Sequence, residues 1–351
     1  MLYQAEPRPD IRQPARREPA LGSVISLHRR EGRERAGSAR NVGKSDEIFG
    51  AELRRSGGQG LPVCDTTAGK RRVSNAHGER GEAETAGVIA LQDGRRAFGA
   101  DPESYERARP DYPPEVLEWL RAAAPRTGGE FFEVGPGTGA ATELLLRLAP
   151  ARITALEPDA RMSGYLRRRF RETGNVEVVE ASFEEAELPE AAFDLGAAAT
   201  CFHWLEQETA LAKAFARLRR GGWWCMWWNV FGSIDDPDAF EEATTPLFRE
   251  LTPSPSWTQD GRSRFALDEP ERRAQLTAAG FRPIEFHRLR WTATMDTARA
   301  VALTATFAQV SLAEPARRAR FLEALTELLD RQFGGRVERR FCTGFYAAQR
   351  P

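Results

Sequence analysis

The stretch FFEVGPGTGAAT, residues 131–142, most constrains what this chain can fold into. An apolar run stops at a turn with glycines at 135, 137 and 139, and a helical-looking run follows at once. Glycine reaches left-handed backbone cheaply and lets other groups approach the main chain closely, so the pattern predicts a strand, a tight turn and a helix start in succession. The rhythm continues downstream. Strand candidates at 130–134, 151–157, 176–181, 191–200 and 222–231 alternate with helix candidates at 140–149, 159–173 and 207–220, and an amphipathic helix at 113–124 opens on two prolines. Such alternation implies right-handed crossovers and a parallel sheet covered on both faces. The run WWCMWW, 223–228, then reads as a central strand buried on both sides. After 231 come helices at 236–251 and 271–280, a long strand at 281–294, a helical stretch at 297–331 and a closing strand at 336–350. The expected fold is α/β, a Rossmann-like, doubly wound, seven-stranded and mostly parallel sheet with helical additions late in the chain. Five strands are parallel, and two more complete the edge with one strand antiparallel.

Residues 1–95 break with this pattern. They are rich in Arg, Glu, Gly, Ser and Pro, hold only Tyr3 and Phe49 as aromatic residues, and sustain no period. A segment with so little apolar surface cannot offset its ordering entropy, so it is expected to be a poorly ordered extension, with order beginning near Phe98. The expected domain is 97–351, with a core over 97–231 and late helices and final strands over 232–351. The charge balance, 50 Lys and Arg against 51 Asp and Glu, gives no reason to expect a nucleic-acid partner. Cys64, Cys201, Cys225 and Cys342 form no CxxC pair and have no histidine cluster nearby, so neither a metal site nor a disulfide framework is expected. No apolar run approaches a membrane span, and the first residues lack an apolar signal core, so the expected setting is the cytoplasm. Oligomeric state is not set by the sequence.

In an open parallel sheet, ligands bind beyond the carboxyl ends of the strands where the topology switches, and GPGTG falls there. A triphosphate loop would need GxxxxGK[ST], which is absent. A dinucleotide fold asks for GxGxxG, whereas the spacing here is GxGxG. S-adenosylmethionine remains, since its adenosine carries no phosphate. Glu157 at the end of the next strand stands about 20 residues beyond the glycines, where a carboxylate can accept hydrogen bonds from both ribose hydroxyls. That acid alone would also suit NAD.

The segments EVGPGTG (133–139), LEPD (156–159), ASFEE (181–185), FDLGAAATCFHW (193–204) and RLRRGGWWCMWWN (217–229), in this order, resemble the successive motifs of a class I SAM-dependent methyltransferase. Upstream, YERARPDYPPEV (105–116) is similar to the YxxxRPxYP lead-in of a bacterial subgroup of methyltransferase-domain proteins, distantly similar to trans-aconitate methyltransferases. The resemblance covers about 97–350 and has no counterpart for the first 95 residues. It implies that Glu133 and Gly135, Pro136, Gly137, Thr138 and Gly139 lie near the methionine part of the cofactor and that Glu157 holds the ribose. It also implies that Pro158 and Met162 line the adenine pocket and that Ser182 and Phe183 meet the adenine edge. Thr200 and Phe202 would border the cofactor, with Tyr105, Arg109 and Tyr112 closing over it and Tyr112 reaching the substrate. Arg219–Arg220 replaces the usual Arg-Pro before the two glycines, which touches only a turn. Ser182 stands where many relatives carry an acid.

Methyl transfer from a sulfonium is an in-line displacement that needs alignment and no metal. An acceptor hydroxyl or amine gains from a general base, whereas a carboxylate needs none. His203 is the candidate base, with loop positioning as its plainer role. Trp204 is a candidate acceptor contact, and Arg109 a candidate carboxylate clamp. The acceptor pocket is expected from 236–251 and 297–331. The resulting expectation is SAM-dependent methylation of a small molecule, with a carboxylate-bearing acceptor as one option and the acceptor atom left open. An NAD-linked oxidoreductase and a non-catalytic SAM-binding module are the alternatives.

Overall fold

A computed structural model of the chain describes residues 88–123, 128–232, 237–256 and 264–351. The extension expected to be poorly ordered lies outside these residues as far as position 87. Its last residues are described, and they hold a helix, α1 (Leu91–Arg96), ahead of the expected start at Phe98. That helix is short, contains Gly94 and carries no local signal. It is held by a distant partner: the Trp204 ring lies so close to Gly94 that a Cβ there would meet it at 1.9 Å. Ile89 and Ala97 join Trp204 and Ala308 in the same apolar cluster.

Two more helices, α2 (Pro102–Ala108) and α3 (Pro114–Ala123), lead into the alternating series. It runs β1 (Glu130–Val134), α4 (Ala140–Leu146), β2 (Arg152–Leu156), α5 (Ala160–Arg169), β3 (Val176–Val179), β4 (Phe193–Ala199), α6 (Gln207–Arg217) and β5 (Leu218–Phe231). The late part adds α7 (Ala239–Phe248), α8 (Glu269–Ala278), β6 (Ile284–Asp296), α9 (Thr297–Ala305), α10 (Ala308–Ser311), α11 (Pro315–Phe333) and β7 (Arg336–Gln349). The helical stretch 297–331 is therefore three helices. It breaks at Thr306–Phe307 and again before Pro315, whose fixed φ opens α11 beneath a cap from the Glu314 side chain.

The seven strands form one sheet in the order β3-β2-β1-β4-β5-β7-β6. The first five are parallel, and β7 runs antiparallel between β5 and β6. This is the expected mostly parallel, doubly wound sheet. Because β7 is an interior strand, its run Phe341–Ala348 is buried throughout, whereas the edge strand β6 alternates. Alternate residues of β5 face opposite layers. Trp224, Met226 and Trp228 pack with Phe132, Leu211, Leu276 and Tyr346 on the side of α6 and α8. Cys225 and Trp227 pack with Leu120, Leu145, Leu166 and Phe345 on the side of α3, α4 and α5. A third cluster, built from α7, α9, α11 and the starts of β7, covers the late end. Among the described residues no helix is long and apolar enough to cross a membrane. The chain steps from β1 to β2 on one side and to β4 on the other, so a crevice opens beyond the carboxyl ends of β1 and β4.

Candidate functional site: an acidic glycine turn above an aromatic chamber

The turn after β1 takes left-handed backbone three times, at Gly135 (φ 60°), Gly137 (φ 58°) and Gly139 (φ 98°). Each glycine has its own reason to be there. At Gly139, which starts α4, a Cβ would sit 2.3 Å from the Phe170 ring. One at Gly135 would sit 2.9 Å from Cys201 Cβ. One at Gly137 would meet nothing within 4 Å and would project into open space. All three N–H groups are already used: Gly135 donates to Leu156 O at 2.9 Å, Gly139 to Pro136 O at 2.9 Å, and Gly137 to Glu157 Oε2 at 3.0 Å.

Glu157 stands one residue past β2 and is 6% exposed. Its Oε1 accepts from the Asp159 N–H at 3.0 Å, so the carboxylate ties the turn to the start of α5. Burial raises its pKa to about 7, against the opposing backbone hydrogen bonds. Beneath the turn, Glu133 is fully buried: Thr142 donates to its Oε2 at 2.7 Å, while its Oε1 has no partner among the described residues. Burial holds this carboxyl up at about 8. With its glycine amides spent and the Glu157 carboxyl at its edge, the turn opposes a pyrophosphate, which needs free amides and positive potential.

Every residue expected at the site lines one cavity of about 1400 Å³ except Glu133, Gly139 and Phe202. Glu133 lies beneath the turn, and Gly139 is the turn's last glycine, packed against Phe170. Phe202 points the other way: it begins a 3-10 turn, Phe202–Trp204, that rotates its ring into the core against Trp224. Cys201 lines the cavity in its place. Thr200 has φ 58°, rare for a threonine, and is held there by its N–H to Trp227 O at 2.7 Å and by a 2.8 Å hydrogen bond between its Oγ1 and the Tyr112 hydroxyl. Such strain concentrates where geometry matters for a ligand. Ser182 binds Glu185, and Phe183 stacks on Phe132, so both shape the wall from outside the turn.

The segment before β1 straps the cavity. Glu106 on α2 accepts from Tyr165 and pairs with Arg169, which also donates to Thr138 O at 2.8 Å and to Glu143 at 2.7 Å. Arg95 on α1 pairs with Glu184 at 2.6 Å and donates to Trp204 O at 2.8 Å. Arg109 is engaged where a free clamp was expected. Its Nε donates to Thr306 Oγ1 at 2.9 Å and its Nη2 to Thr306 O at 3.3 Å, and the guanidinium lies against the rings of Tyr105, Phe231 and Phe307.

His203 is 6% exposed, and its Nδ1 accepts the Trp228 indole N–H at 3.1 Å. Burial, aided by the Arg109 charge, pushes its pKa down to about 3, so the ring is neutral at physiological pH. With Nδ1 accepting, the ring proton belongs on Nε2, which makes this imidazole a donor toward the cavity. Trp228 therefore leaves the purely core role expected of the WWCMWW run. Asn229 beside it donates to Asp111 O at 3.2 Å and fixes the strap.

The same cavity is also lined by Phe231, Phe240, Phe248, Phe265 and Phe307, which make up an aromatic chamber. The expected segments supply part of it: α7 contributes Phe240 and Phe248, and Phe307 stands at the break after α9. Two ion pairs lie within it, Arg264 with Glu241 at 2.7 Å and Arg339 with Asp238 at 3.2 Å. The first turn of α8, which carried no site expectation, supplies Asp268, Glu271 and Arg272. Its signal was weak: Arg272 stands four residues before the core residue Leu276, on the same helix face.

Residues 132–226 match the family model described as a methyltransferase domain. The matched segment is similar to methyltransferase domains. It runs from β1 into β5 and so carries the glycine turn, Glu157 and His203, while the strap and the late chamber lie outside it. Among relatives, an uncharacterized methyltransferase of Schizosaccharomyces pombe is 32% identical over 136 residues, 38% of this chain and 53% of its own length. An uncharacterized methyltransferase of Mycobacterium bovis is 30% identical over 143 residues, 41% of this chain and 56% of its own length. The chain thus spans about half the length of the curated relatives it matches. Among solved structures, a phosphoethanolamine N-methyltransferase of Haemonchus contortus with S-adenosylhomocysteine is 14% identical, with a TM-score of 0.47 over 75% of this chain and 61% of its own.

Proposed function

We propose that the chain binds S-adenosylmethionine on the glycine turn and catalyses transfer of its methyl group to a small molecule bearing a carboxylate. The observation that carries this reading is the buried pair Glu133 and Glu157 under a turn whose three glycine N–H groups are already spent. When bound, the cofactor supplies an electrophilic methyl on a positively charged sulfur. Glu157 would accept from the ribose hydroxyls while keeping its hold on Gly137 and Asp159. Gly137 leaves room for close approach, and Pro158, Met162, Ser182 and Phe183 surround the base.

The chain's share of the chemistry is alignment and exclusion of water. The strap ties made by Arg95, Arg109 and Glu106 close the cavity, and Thr200 with Tyr112 sets the edge between cofactor and acceptor. His203 donates through Nε2–H and would orient an acceptor oxygen. A carboxylate acceptor suits that arrangement, because it is anionic at neutral pH and no proton has to be removed before displacement. The test is transfer of labelled methyl from S-adenosylmethionine to an extracted metabolite pool. The expected outcome is labelled, anion-exchangeable product that disappears with Glu157→Ala. Tight cofactor binding with no transfer to any fraction would refute the enzymatic reading and favour a binding module.

A further inference from the structure

Of the arginines that line the chamber, Arg272 and Arg339 are buried and Arg264 is partly so, and their partners differ. Arg264 and Arg339 each have a carboxylate within hydrogen-bond reach. Arg272 does not: it is 4% exposed, and neither its Nε nor its Nη1 has a hydrogen-bond partner among the described residues. Its nearest carboxylate, Glu271, stands 4.0 Å from an Nη atom, is itself exposed, and accepts from Gln275 at 3.1 Å. Asp268 is occupied as the cap of α8, where it accepts from the Glu271 N–H. The guanidinium carbon lies over the Phe265 ring, 3.7 Å from its centroid, and the His203 and Trp228 rings stand 5.9 and 5.7 Å from the same centroid.

A buried guanidinium with three N–H donors unspent is costly, since each donor has lost water without gaining an acceptor. Burial accordingly lowers the Arg272 pKa. A residue kept for stability alone would be better replaced by an apolar side chain of similar length. Arginine offers a planar array of donors that matches a carboxylate. Gln275, one turn further on, has no donor to its Oε1 among the described residues while its Nε2 is fixed on Glu271, so the same helix face also offers an acceptor.

We infer that Arg272 is the anchor for the acceptor's carboxylate, holding it against Phe265 so that an apolar body fills the aromatic chamber toward Trp228 and His203. This rests on the methyl-transfer reading above and adds to it the residue that selects the acceptor class. Orphan donors that gain a carboxylate only in the complex give selectivity, because a neutral analogue leaves them unpaired.

The experiment uses the full chain saturated with S-adenosylhomocysteine, titrated with cinnamate, phenylacetate and decanoate, each beside its primary amide. The expected result is that at least one acid binds tenfold or more tighter than its amide, that Arg272→Met removes this preference, and that Arg272→Lys keeps part of it. The affinity for S-adenosylhomocysteine should change less than twofold in both variants. Arg272→Met should also melt no lower than wild type, because it removes a buried, unpaired charge; a purely structural arginine would give the opposite. The inference is overturned if acids and amides bind alike to wild type, if neither binds, or if the preference survives in Arg272→Met. Failure to bind S-adenosylhomocysteine at all would instead refute the methyl-transfer reading, so the two failures are separable.

Discussion

Glu157 makes cofactor affinity depend on pH in a way that can be worked from its surroundings. Its pKa in the free protein is about 7, raised by burial, and both of its oxygens accept from backbone N–H groups. The ribose hydroxyls need those oxygens as ionised acceptors, and a proton on one of them takes a place the ligand requires. Binding then selects the ionised form, and the apparent Kd scales as 1 + 10^(7 − pH), taking the pKa as about 7. Between pH 8 and pH 6 this predicts roughly tenfold weaker binding, about 1.4 kcal/mol. Glu157→Gln keeps the shape and loses the charge. It should bind about ten- to a hundredfold more weakly at pH 8, the worth of a hydrogen bond to a charged group. Calorimetric titration of S-adenosylhomocysteine at pH 6, 7 and 8 is the assay. Glu133, at about 8, titrates in the same window, so the decisive quantity is the difference between the two slopes. A wild-type profile no steeper than that of Glu157→Gln would refute the assignment of the ribose contact to an ionised Glu157.

The remaining predictions concern the floor, the turn and the histidine. The Glu133 pKa is raised from 4.5 to about 8, so its contribution to stability is fully present below 4.5 and is lost as pH rises through 8. Glu133→Gln, which still accepts from Thr142, should therefore stabilise the fold at pH 8 by on the order of a few kcal/mol, seen as a higher Tm, and change Tm little near pH 4; equal effects at both pH values would contradict the buried-carboxyl account. Gly139→Ala should lower Tm strongly, since its Cβ would sit 2.3 Å from Phe170. Gly137→Ala, which meets no atom, should cost only the left-handed strain of about 1–2 kcal/mol yet weaken cofactor binding more than tenfold. Comparing Tm and Kd across the two variants checks this, and a Gly137→Ala protein that binds normally would place the cofactor elsewhere. His203→Gln keeps an acceptor for Trp228 and should lower kcat less than tenfold; a loss of a hundredfold or more, with one limb of the pH profile removed, would make His203 the base.

The parts of the site legible in the sequence are those whose physics is local. The glycines at 135, 137 and 139 announce left-handed backbone by themselves, and Glu157 is placed by strand length alone. The unbroken apolar run of β5 is the expected mark of a strand buried on both faces, and the structure buries it so. The failures are non-local. Helix α1 exists because Trp204 covers Gly94 from more than a hundred residues away. Phe202 turns inward because a 3-10 turn follows β4, a rotation that no periodicity encodes. Arg109 looks like a free cation until Thr306 and two distant phenylalanines are folded around it. Arg272 has the composition of a surface residue, and only the closure of α8 against Phe265 and Tyr346 turns it into a buried one.

The central claim is that the turn after β1 holds a phosphate-free nucleoside of the S-adenosylmethionine kind. Calorimetric titration of the purified chain with S-adenosylhomocysteine and, separately, with NAD tests it most directly. The account predicts saturable one-site binding of S-adenosylhomocysteine and none of NAD. Binding of NAD without binding of S-adenosylhomocysteine would contradict it.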